Sequence, residues 1–150
     1  MTWSQLPTFD GELAPLSTSQ IRASESALNL RLPSFLWRLY RRTNGGSPEA
    51  YVFASDVLET VVNEVLPLVR TFGGLSGAVR SYERLVVELE LAPRTFFPFA
   101  VDGGGDYFLT DCSTRDGEVY FLDGRGATPD ERLHKLNMGL GEFFASLKTE

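Results

Sequence analysis

The stretch from Leu32 to Gly46, LPSFLWRLYRRTNGG, constrains the fold more than any other part of this chain. Pro33 belongs in the first turn of a helix, where its missing N–H has no partner to lose. Phe35, Leu36, Leu39 and Tyr40 follow at helical spacing and mark one apolar face. Arg38, Arg41 and Arg42 gather toward the end, where cations suit the helix dipole. Asn44-Gly45-Gly46 then stops the helix, because Gly and Asn reach the left-handed conformation at least cost. A helix with one apolar face needs a second layer to cover it.

The second half of the chain supplies strands for that layer. Phe96 to Asp111, FFPFAVDGGGDYFLTD, reads as two apolar strands around a Gly-rich turn, with Asp102-Gly103 as the hairpin signal. Gly117 to Asp123 reads as another strand, and Tyr51-Val52-Phe53 as a short one. Ala78, Tyr82, Leu85, Val86 and Leu89 mark an amphipathic helix over 77–90. Leu140, Phe143, Phe144 and Leu147 mark another at the C-terminal end. Ser17, Thr18 or Ser19 can cap a first helix carrying Ile21, Glu25 and Leu28. Residues 1–16 lack periodicity and read as an extended arm, pinned by Trp3 and Phe9. Residues 56–72 are ambiguous: Val57, Leu58, Val61, Val62 and Val65 fit a helix, yet so many valines favour a strand. Pro67 excludes a central strand position beside it. Strands joined by short turns predict an α+β fold, a mostly antiparallel sheet packed by N-terminal, central and C-terminal helices.

The 150 residues suit a single domain spanning 1–150, large enough for a real core. No apolar run is long enough to span a bilayer, and no basic segment leads into a signal core. A cytoplasmic location is therefore expected. The net charge of −6 is unevenly spread. Residues 1–42 hold three acids against five basic residues, and residues 43–130 hold fourteen acids against six. Residues 131–150 are balanced, with three of each. An acidic middle repels phosphates, so direct nucleic acid binding is not expected and a basic partner is. Twelve of the fourteen basic residues are arginine, which fits the GC-rich codons of a GC-rich bacterial genome.

No constellation of catalytic residues emerges. Asp102, Asp106 and Asp111 lack the Asp spacing and closing Glu of a calcium loop. The glycine pairs and the run Gly103–Gly105 lack phosphate-loop spacing and read as caps and turns. His134, the only histidine, sits in the polar stretch DERLHK and reads as an exposed helix or loop residue. Cys112, the only cysteine, has no disulfide or CxxC partner and reads as a small buried residue. Trp37 reads as core or half-buried packing, with a binding hot spot as the alternative. No enzyme activity, cofactor or metal is expected. A ligand role for the Gly103–Gly105 turn and Asp106 is the outlying reading.

The order of these pieces resembles the SUKH superfamily, in the branch related to the yeast cell-wall-assembly regulator. The LP-start helix, NGG, PFA, the GGD strand, G-x-V-Y and the terminal E-F-F-x-x-L helix occur in sequence from about Thr18 to Leu147. The resemblance implies a strand over 68–72 leading into Phe72-Gly73-Gly74-Leu75. It also marks 54–70 as extra sequence relative to the short family form. Bacterial SUKH proteins are predominantly immunity proteins that bind toxins, often nucleic-acid-directed ones, and fungal relatives are regulatory interaction proteins. The implied function is a non-catalytic immunity-type protein that neutralises a cognate toxin. An intracellular regulatory scaffold is the alternative.

Asp102, Asp106, Glu118 and Asp123 are the leading candidates for contact with a basic toxin or other basic protein. Asp102 and Asp106 flank three glycines, so both carboxylates are expected in solvent. Glu118 and Asp123 bracket a strand and belong near sheet margins. Asp130 and Glu131 extend the same acidic rim.

Overall fold

The computed structural model describes residues 5–70 and 77–150. Among them are five α-helices, a curled six-stranded antiparallel sheet and a small two-stranded sheet. The fold is α+β. The large sheet contains β3 (Val52–Ala54), β4 (Glu59–Val65), β5 (Phe96–Asp102), β6 (Tyr107–Asp111), β7 (Glu118–Leu122) and β8 (Leu133–Lys135). These strands pair in chain order, each antiparallel to the next. The small sheet pairs β1 (Phe9–Asp10) with β2 (Ser47–Pro48).

The helices are α1 (Thr18–Leu28), α2 (Ser34–Arg42), α3 (Ala78–Tyr82), α4 (Pro129–Arg132) and α5 (Leu140–Ser146). Contacts run from α5 through α2 and α1 to α3, so these four form one layer. Ser17 caps α1 through a reciprocal box: its hydroxyl accepts from the Gln20 N–H while the Gln20 side chain accepts from the Ser17 N–H. Pro33 is the N-cap of α2, one residue earlier than its place in the first turn.

The stop after α2 rests on more than a left-handed cap. Thr43, the C-cap, is extended. Asn44 is buried, its side-chain oxygen accepting from the N–H groups of Leu68 and Val69 at 2.8 and 3.1 Å. Its amide donates to the Val69 carbonyl at 2.7 Å. Gly45 and Gly46 have φ of +95° and +131°, and Gly46 bridges to Val65. A Cβ on Gly45 would run into the Val65 carbonyl oxygen. The NGG segment is therefore a docking point for the end of β4.

The core lies between the helical layer and one face of the sheet. Phe53, Phe99 and Phe108 surround Phe143 of α5 at ring-centroid distances of 5.2, 5.5 and 4.9 Å. Phe35 of α2 stacks on Phe144 at 5.4 Å. Such aromatic pairs contribute about 0.5–1.5 kcal/mol each beyond their area burial. A bulge between Pro98 and Ala100 lets Phe99 and Ala100 share the core side.

Four sequence expectations need correction. The strand in the ambiguous region is β4, at 59–65; residues 68–70 are not strand, and 71 and 72 lie outside the described residues. His134 sits on the edge strand β8, half-buried opposite Phe121, instead of on an exposed helix or loop. The helix over 77–90 changes at Glu83 into wider π-type turns through Glu88, which leave Leu89 exposed. Asp102, expected in solvent, is buried. Phe9 is buried and holds the N-terminal segment through β1, whereas Trp3 lies outside the described residues.

Candidate partner-binding surface

A meander places alternate turns at the same end of its sheet. The β3–β4, β5–β6 and β7–β8 connections therefore share one end, and hydrogen bonds tie them side by side. The Gly103 N–H donates to the Val61 carbonyl at 3.1 Å, linking the β5–β6 turn to β4. The Gly124 N–H donates to Asp106 Oδ1 at 2.9 Å, linking that turn to the β7–β8 connection. The charges there are mostly of one sign. Across residues 55–59, 102–106 and 123–132 stand seven acids: Asp56, Glu59, Asp102, Asp106, Asp123, Asp130 and Glu131. Only Arg125 and Arg132 oppose them in these spans.

The sequence candidates divide within this arrangement. Asp102 is only 7% exposed. Its Oδ1 accepts from the Gly104 and Asp106 N–H groups at 3.0 and 2.8 Å. Its Oδ2 accepts from the Thr60 hydroxyl at 2.9 Å. The carboxylate closes the turn internally, because a buried charge must be matched by donors. That is the physical reason it does not reach solvent.

Asp106 and Asp123 are half-buried at the same end. Asp123 Oδ1 accepts from the Arg125 N–H at 2.9 Å and lies 3.6 Å from Arg125 Nε. The backbone hydrogen bond, helped by the Arg125 charge, holds its carboxyl below the ordinary aspartate range. Glu118 is elsewhere. It begins β7, and five residues of strand rise, about 16 Å, separate it from Asp123. It pairs with Lys135 Nζ at 3.2 Å. Its hydrogen bond and charge raise the Lys135 ammonium above the ordinary lysine range.

Sequence reading missed Asp56 and Glu59. Their membership follows from turn parity, which can be counted only once β4 is recognised as a strand. Cys112 is half-buried, and burial, followed by the charges of Asp111 and Glu25, pushes its thiol up to about 12. At neutral pH it is a thiol, not a nucleophilic thiolate. Trp37 is half-buried and donates to Glu25 Oε2 at 3.0 Å. Among the described residues, no group of three or more His, Cys, Asp or Glu side chains is placed to hold a metal ion. No helix among them is long and apolar enough to cross a membrane.

These features define an α+β domain whose helical layer backs an antiparallel meander, with charge concentrated at one end of the strands. The model of the SMI1/KNR4 family, SUKH-1, matches residues 15–146, and the chain belongs to that family. No curated protein and no solved structure matches the chain.

Proposed function

We propose that this chain is an immunity-type protein that binds and neutralises a cognate toxin directed at nucleic acid. Membership of the SUKH family across 15–146 carries this reading. The family is generally non-catalytic, and neutralisation by capture needs no chemistry from the binder. The acidic end of the sheet supports it further. An enzyme that grips phosphates presents a basic surface, and an acidic patch steers it into encounter. Asp106 and Asp123 are the first contacts to consider, with Asp56, Glu59, Asp130 and Glu131 around them. Glu118 would meet a partner only if the contact extended along β7. The protein acts in the cytoplasm, where such a toxin finds its substrate.

Membership of the SMI1/KNR4 family is also compatible with a second reading, a regulatory scaffold that binds a protein of its own cell. Co-expression separates the two. The chain is produced with each candidate nucleic-acid-directed toxin drawn from its gene neighbourhood, and survival and co-purification are measured. Protection together with a stable complex supports neutralisation. Neither protection nor complex formation, with both proteins folded, overturns it.

A further inference from the structure

The helical side carries a concave surface of opposite charge. The latter half of α1 and the link into α2 wall a cleft of about 780 Å3, lined by Arg22, Glu25, Ser26, Asn29, Arg31 and Trp37 among others. Its chemistry is unevenly used. Glu25 Oε2 accepts from Trp37 Nε1 at 3.0 Å and from the Leu32 N–H at 2.7 Å. That carboxylate braces the cleft and occupies the polar edge of the indole. Arg22 and Arg31 are exposed and, among the described residues, have no ion-pair partner. The cleft therefore combines an indole held by its polar edge with two guanidiniums that have no ion-pair partner among the described residues.

We propose that this cleft binds an acidic peptide segment of a partner protein. Two of its carboxylates would meet Arg22 and Arg31, and an apolar or aromatic side chain between them would pack on Trp37. Guanidinium forks match carboxylates in geometry as well as charge. A half-buried Trp presents a large rigid contact at little entropic cost. The spacing favours a peptide. Arg22 lies six residues before Leu28, the last residue of α1, about 9 Å of helix rise. Arg31 lies beyond that end. Acidic side chains two to four residues apart on an extended segment span about 7–13 Å. The charge also favours it: residues 1–42 carry five basic residues against three acids, the reverse of the sheet's acidic end. This surface is independent of toxin capture, so either can fail alone.

The test uses the full chain with Trp3→Phe, which leaves Trp37 as its only tryptophan. The probe is a synthetic, end-blocked peptide of sequence Asp-Glu-Phe-Glu-Asp, with Asn-Gln-Phe-Gln-Asn as its uncharged control. The acidic peptide should change the Trp37 emission saturably, and the control should not. Arg22→Ser and Arg31→Ser, both at exposed positions, should each weaken binding by on the order of tenfold, with circular dichroism unchanged. No saturable change up to millimolar peptide overturns the proposal. So does binding by both arginine variants as tight as that of the parent chain, or a response to acetate or inorganic phosphate equal to that to the acidic peptide.

Discussion

At the scale of single residues, Asn44 and Gly45 do the most with the fewest atoms. One buried amide makes three backbone hydrogen bonds to the chain after β4, and a glycine beside it lets that chain approach. The two glycines should therefore differ. Gly46→Ala should cost on the order of 1 kcal/mol, from positive φ alone. Gly45→Ala should cost clearly more, because its Cβ also meets the Val65 carbonyl. Urea denaturation of both variants checks the order, and equal losses would contradict it. Glu64 offers a test by pH. Burial raises its carboxyl above the ordinary glutamate range. A raised acid binds its proton more tightly in the folded state, so stability falls as pH rises from the unfolded pKa through the folded one. Glu64→Gln should raise the melting temperature at pH 7 and leave it unchanged at a pH below both values. A gain of equal size at both pH values would assign the effect to packing.

At the scale of elements, α2 is legible because its period is local. Four apolar residues recur on one face, and Phe35, Leu36, Leu39 and Tyr40 are all buried. Replacing Phe35 or Leu39 with Ala should cost about 2–5 kcal/mol, since each leaves a cavity in a packed layer. Chemical denaturation checks this, and losses below about 0.5 kcal/mol at both sites would misplace the face. The strand β4 was not legible. Its sequence ETVVNEV has no clean alternation, because the register shifts between Val62 and Glu64 and leaves Asn63 unpaired. The same local limit explains Leu89. A 3.6-residue period assigns it to the apolar face, while the wider turns from Glu83 carry it away from the core, 52% exposed.

At the scale of the molecule, the strand order turns scattered acids into one pole. If that pole meets a basic partner, lysine at Asp123 or Glu59 should slow association more than it speeds dissociation. The effect should shrink toward a few tenths molar salt, where the Debye length is roughly 5 Å. Surface plasmon resonance across salt concentrations checks this. Association indifferent to both reversals and salt would move the contact to another surface, with Arg38, Arg41 and Arg42 next. Asp102→Ala should act differently, costing about 1–3 kcal/mol of stability through the donors it leaves unpaired.

What the sequence determined by itself were the elements with a clean period, the turns with glycine signals and the family pattern from the LP helix to the terminal E-F-F-x-x-L. All of these depend on neighbours within a few residues. Which acids stand together was decided only by the tertiary structure. Asp102, Asp106, Glu118 and Asp123 look equivalent along the chain. Yet one is consumed by its own turn, two share an end and one lies the length of a strand away. Their fates follow from how many strands precede each turn and from where hydrogen-bond donors lie across the sheet. Those are non-local quantities, because strand pairing joins segments far apart in sequence and a single bulge changes which side chains share a face.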